Sequence, residues 1–123
     1  MSLVISATKL PRLNSTRDGR DRVDLVTQET FGLTDLRADR VTYHTGDTAA
    51  PHYHEDAKHF FFVLEGSAVM CVDGESIPVG PGDVAMIEEG EVHHFENPDP
   101  GDFTFIELWV PAPSATVWVT DDQ

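Results

Sequence analysis

The sequence predicts a single all-β domain, and three observations predict it. Short runs rich in Val, Ile, Phe and Trp recur at residues 38–44, 59–64, 67–72, 84–87, 92–97, 103–110 and 116–120. Gly and Pro separate these runs at short intervals from residue 46 onward. No long stretch carries the period of an amphipathic helix. Many short strands with turn signals between them describe a β-sandwich or β-barrel.

Residues 1–37 read as an N-terminal arm with the first strands, placed to touch a partner subunit, and residues 38–123 as the body of the one domain. Within the arm, residues 20–31 fit a short helix or a strand equally. Asp73-Gly74 follows the run 67–72 and should close a hairpin. Pro78, Gly80, Pro81 and Gly82 mark a second tight turn, and the stretch from Asn97 to Gly101 a third. On 103–110, Phe103, Phe105, Glu107 and Trp109 share one face and Thr104, Ile106, Leu108 and Val110 the other. Both faces are largely apolar, so this strand is expected to be buried on both sides.

Composition excludes several classes of function. The 123 residues, 40% apolar, suffice for one core. Eight basic and 22 acidic residues leave a net charge of −14, the wrong sign for nucleic acid or an anionic membrane surface. No apolar run approaches the roughly 18 residues that cross a bilayer, and no signal pattern opens the chain, so a cytoplasmic protein is expected. Lysine occurs only as Lys9 and Lys58. An acidic, lysine-poor surface fits an ordinary acidic protein or a host whose salty cytoplasm screens self-repulsion. The one cysteine, Cys71, rules out an internal disulfide and reads as a small buried hydrophobe, with a redox or metal-ligand role as the alternative.

The histidines carry the chemistry. His52, His54 and His59 fall within eight residues, and His93 lies on a separate strand, four residues before Asn97. Neutral imidazole is the commonest protein ligand of transition metals. Positions i and i+2 share a face only in extended backbone, so His52 and His54 can grip one ion from a strand but not from a helix. Glu55 to Lys58 would form a loop that brings His59 back toward them. On the strand 92–97, His93, Phe95 and Asn97 share one face and His94 and Glu96 the other, so His93 completes the set. His44 and His94 read as surface or hydrogen-bonded structural residues.

The spacing resembles the cupin superfamily of small β-barrels. Its first motif, G-x5-H-x-H-x3/4-E-x6-G, is matched by Gly46, His52, His54, His59 and Gly66. Its second, G-x5-P-x-G-x2-H-x3-N, is matched by Gly82, Gly90, His93 and Asn97, with Glu88 in place of proline. The resemblance spans roughly residues 38–110 and implies a jelly-roll barrel, a homodimer, and one divalent transition metal per chain (Mn, Fe, Zn, Ni or Cu) on His52, His54, His59 and His93. His59 stands where the family usually has glutamate. Four neutral ligands leave a divalent ion its full charge and make it a stronger Lewis acid.

Glu107 is a carboxylate on an apolar face, and burying it unpaired would cost several kcal/mol. It is expected either to act as a general acid/base or histidine partner, or to sit at a rim or interface ion pair. Phe61, Phe95, Phe105 and Tyr43 are expected to line a pocket. The functional expectation is a metal-dependent enzyme acting on a small organic molecule, by oxygenase or by isomerase or lyase chemistry. The alternative is a non-catalytic metal or small-ligand binding module.

Overall fold

In a computed structural model of the protein, which describes residues 4–14, 20–46, 51–97, 101–113 and 117–118, the apolar runs become strands of two antiparallel sheets. A single 3-10 turn at Ala7–Lys9 precedes β1 (Arg12–Asn14) and β2 (Asp21–Val26). The helix α1 (Gln28–Phe31) leads to β3 (Arg37–Tyr43), β4 (His52–Tyr53), β5 (Lys58–Glu65) and β6 (Ala68–Val72). Then follow β7 (Glu75–Val79), β8 (Val84–Ile87), β9 (His93–Glu96), β10 (Phe103–Val110) and β11 (Val117–Trp118).

One sheet has the order β1-β2-β3-β10-β5-β8 and the other β11-β4-β9-β6-β7. From β3 onward the chain alternates between the sheets, interrupted only by the β6–β7 hairpin. This is the jelly-roll path that the strand pattern and motif spacing predicted. Alternation then decides what points inward. Val41 and Tyr43, Phe61 and Val63, Phe103 and Phe105 face Ala68, Met70, Val79 and Phe95 across the space between the sheets, joined by Ile87. Burying each large side chain contributes roughly 1.5–3 kcal/mol. The aromatic rings meet edge-on or tilted, as between Phe61 and Phe95 at 4.8 Å and 79°.

Several local expectations change. Residues 20–31 hold both a strand and a helix: β2 ends at Val26, and the Thr27 side chain accepts from the Thr30 amide to start α1. The strands β1 and β2 extend the sheet beyond β3. Pro78 lies in β7 rather than in a turn, which an edge strand tolerates because no neighbour needs its missing N–H. The outer face of β10 is half-buried and ends in exposed Val110, with no third layer over that side of the sheet among the described residues. The third expected turn falls largely on residues 98–100, outside the described residues. No helix among the described residues is long and apolar enough to cross a membrane.

The motif glycines and Asn97 tie the loops that carry the histidines. Gly90 has φ +78 and donates its amide to the His54 carbonyl at 2.8 Å. The Gly46 amide donates to the Asn97 carbonyl at 2.9 Å, so each motif is tied to the other by backbone. The Asn97 side-chain amide donates to the carbonyls of His44 at 3.1 Å and Gly101 at 2.8 Å. Gly66 has φ +77, and a Cβ there would run into the backbone carbonyl of Asp102.

Candidate metal centre

At one end of the core the inward positions turn from aromatic to imidazole. His52 on β4 is the cross-strand partner of His93 on β9, and His54 lies two residues along extended backbone from His52. All three are buried. Their ring centroids are 4.4 Å apart for His52–His93, 5.5 Å for His52–His54 and 5.8 Å for His54–His93. One ring nitrogen from each lies within 4.8 Å of the other two. Ligands about 2.0 Å from a tetrahedral ion stand about 3.3 Å apart, so only a small contraction separates this arrangement from a coordinated one.

The protonation pattern suits a metal. His93 donates from Nδ1 to the Glu91 carbonyl at 3.0 Å, which leaves Nε2 as a bare lone pair. That Nε2 is buried and has no hydrogen-bond partner. Burial, reinforced by His59, pushes the His93 imidazole down to about 3, so the ring is neutral, the form that ligates metal. The residues present therefore fit a divalent transition ion.

The four-imidazole cluster expected from spacing is assembled in part. Among the described residues the mutually close set is His52, His54 and His93. His59 is buried beside them, its ring 5.3 Å from those of His54 and His93. Its Nε2 is engaged by the Glu107 carboxylate at 2.9 Å, and its Nδ1 is buried without a hydrogen-bond partner. A buried carboxylate claims the ring edge that spacing alone assigned to the ion. Burial first, then His54 and Arg20, hold His59 well below its ordinary range and keep it neutral.

Glu107 opens a buried polar network. Its cross-strand partner on β3 is Asp39, which is 0% exposed. Desolvation raises both carboxyls to about 7, against the lowering pull of nearby arginines. Asp39 lies 3.5 Å from Arg37 Nε and 3.9 Å from Arg22 Nε, and both arginines also reach Asp24. Trp109 stacks on His59 at 4.4 Å and lies 5.6 Å from His54, while its buried Nε1 has no hydrogen-bond partner. Asp39 escapes the sequence reading, which sets Trp109 on the face of Glu107 without giving it a part in the site. The pattern Asp39-Val41-Tyr43 puts the acid on the apolar face, but the inward face of β3 was not decidable without its register to β10.

The four expected pocket residues pack mainly on one another. Tyr43, Phe95 and Phe105 form the aromatic core with Phe61. Of the four, Phe61 reaches the histidines, 4.1 Å from His59 and 6.1 Å from His93. Arg20 lies over the Tyr43 ring at 5.7 Å. A separate cavity of about 310 Å³ opens between the sheet edges, lined by Met70, Val72, Ile77, Met86, Ile87 and acidic side chains. Two of its lining residues adjoin the centre by register: Val72 pairs with His93 and Ile87 with His59. His44 bridges Asp21 and Asp102 on the surface, and His94 points outward.

A cupin domain model matches residues 39–111, more than half of the chain, and the protein therefore belongs to the cupin family. A relative described as an oxalate-binding protein from Thermotoga maritima is 26% identical over 100 residues, 79% of this chain and 83% of its own. The solved structure of the polyketide cyclase RemF from Streptomyces resistomycificus superposes with a TM-score of 0.82 at 23% identity, covering 98% of this chain and 87% of that one. A sugar phosphate isomerase of the cupin superfamily from Silicibacter pomeroyi gives 0.78 at 21% identity, covering 98% and 94%. At these identities the structural likeness establishes the fold.

Proposed function

We propose that the protein is a metal-dependent enzyme acting on a small organic molecule. The observation that carries this reading is the buried trio His52, His54 and His93, with the Nε2 of His93 left unprotonated and unpartnered. One divalent ion of the Mn, Fe, Zn, Ni or Cu type would be held by these three. His59 would complete the set through Nδ1 while its Nε2–H donates to Glu107. A bound ion of this kind supplies Lewis acidity toward a substrate oxygen. Glu107 holds or accepts a proton beside the site, and Trp109 Nε1 supplies an unused donor. Phe61 and Trp109 exclude water from the histidine side.

The cavity of about 310 Å³ beside the centre, which none of the histidines lines and which adjoins them through Val72 and Ile87, sits at the low end of the range for ligand pockets. Redox-neutral isomerase or lyase chemistry and oxygenase chemistry both fit this machinery. The test is metal content by mass spectrometry, followed by turnover against dicarbonyls, phenolics and uronic acids. Metal at one or more per chain, lost from the inner centre in His54→Ala, with turnover supports the enzyme. Metal without turnover supports the second reading, a metal or small-ligand binding module, which the description of the Thermotoga maritima relative favours.

The homodimer is part of the same proposal. Phe62, Leu64, Val84, Met86 and Val110 are exposed on one outer sheet face, with Phe60 half-buried among them. In a chain of net charge −14 this largely apolar face, whose charged members by register are the cations Lys58 and Arg40, is where two copies meet with least repulsion, and a two-fold contact is self-complementary. Sedimentation of wild type should give a dimer and Phe62→Glu a monomer. A monomeric wild type removes this part of the proposal.

A further inference from the structure

The sheet that carries His52 and His93 inward presents a second set of metal-type donors on its opposite face. Strand alternation turns His94 and Glu96 outward from β9, while His93 and Phe95 point in. On the neighbouring strand β6, Cys71 is the cross-strand partner of His94. Cys71, expected to be a small buried hydrophobe, is instead only half-buried. A sulfur, a ring nitrogen and a carboxylate oxygen from the three residues lie within 4.8 Å of one another.

We propose that Cys71, His94 and Glu96 form a second metal site, which takes a borderline divalent ion of the zinc or cobalt type. Three features carry it. Thiolate and imidazole together select such ions over magnesium or calcium, which take oxygen ligands. The His94 Nε2 and Glu96 Oε2 atoms are already 3.2 Å apart, the spacing of about 3.3 Å between two ligands of a tetrahedral ion. All three residues stand on paired strands rather than loops, so the backbone spacing is set by the sheet ladder. The ion binds His94 Nε2 and Glu96 in place of the proton between them, the neutral ring carrying its proton on Nδ1 instead, and the Cys71 thiol proton leaves to solvent.

With the Glu96 side chain 52% exposed and the His94 side chain 20% exposed, the fourth position opens to water. The site is therefore exchangeable rather than a closed structural one. It is independent of the His52–His54–His93 centre, since its donors sit on the other face of the sheet.

The single cysteine makes the test specific. Metal-free wild-type protein titrated with Co(II) should develop a near-ultraviolet thiolate-to-cobalt charge-transfer band, which no all-imidazole site produces. The band should saturate at one thiolate-bound cobalt per chain and vanish in Cys71→Ser. It should persist in His54→Ala, which separates this site from the inner one. His94→Gln and Glu96→Gln each remove a ligand and should weaken the cobalt affinity more than about tenfold, since loss of an outer partner alone costs about 10–100-fold. Zn(II) should protect Cys71 from alkylation in wild type but not in His94→Gln. Circular dichroism of each variant checks the fold. The absence of the band in folded wild type, or an unchanged band in both His94→Gln and Glu96→Gln, overturns the proposal.

Discussion

His59 and Glu107 form a buried imidazole–carboxylate pair, with Nε2 and Oε1 2.9 Å apart and both side chains shut off from solvent. They stand on neighbouring strands, yet they are offset in register: His59 pairs with Trp109 and Glu107 with Phe61. The contact is therefore diagonal, and it engages the Nε2 edge of a ring that still lies 5.3 Å from those of His54 and His93. A neutral His59 that donates from Nε2 presents Nδ1 as a lone pair, the arrangement in which a carboxylate orients a metal-binding imidazole.

Glu107→Ala leaves the His59 Nε2–H buried without an acceptor. That should cost about 1–3 kcal/mol of stability in the metal-free protein, read from urea unfolding. If His59 joins the ion, metal affinity should fall by about 10–100-fold as well, read by competition with a chelator. Glu107→Gln keeps an acceptor oxygen and should restore most of both. Unchanged metal affinity in the alanine variant would remove His59 from the ligand set.

His54→Ala should abolish most metal binding at the inner centre while the protein remains folded, because one of three close ring nitrogens is lost. Metal content and circular dichroism measure the two effects. His59→Glu restores the residue usual at that position in cupins and should retain the ion with altered preference. Inner-site metal at one per chain in His54→Ala would refute the assignment.

The buried acids predict a pH dependence. Asp39 is raised from 3.8 to about 7, chiefly by desolvation and then by Glu107. The folded protein therefore holds a proton that the unfolded chain has already released between these values. Stability from this source is complete below about pH 4 and is lost as pH rises toward 7. Asp39→Asn removes the carboxyl and should flatten that decline, measured as the slope of Tm against pH in metal-free protein. An equally steep decline would place the buried proton elsewhere.

Gly66→Ala should destabilise the fold by more than about 1 kcal/mol. A side chain there must adopt φ +77 and push against the Asp102 backbone, with Phe103 Cα 3.1 Å away. The chevron arms for folding and unfolding would show the effect directly. A neutral outcome would mean that the β5–β6 turn shifts freely relative to β10.

Period-two alternation was enough to assign the faces of β9 and β10. It put His93 in and His94 out, and it grouped Glu107 with Phe103, Phe105 and Trp109. The strand pattern gave a sandwich or barrel, the cupin resemblance carried by the glycine and histidine spacing implied the jelly roll, and the same spacing brought His52, His54 and His93 to one place. The expectation that β10 is covered on both sides failed because hydrophobicity reports what a strand could bury, not whether a layer exists to bury it.

The sequence by itself determined most strands of the body of the domain, the faces of β9 and β10 and the imidazole character of the inner centre, because those depend on local backbone geometry and on residues close in the chain. The tertiary structure alone decided the pairings between strands. Register between β3 and β10 set Asp39 against Glu107, the offset of β5 on β10 turned His59 toward Glu107, and register between β6 and β9 brought Cys71 to His94. A tight turn fixes register only within a hairpin such as β6–β7; these three pairs join strands far apart in the chain, whose register depends on how the sheets pack.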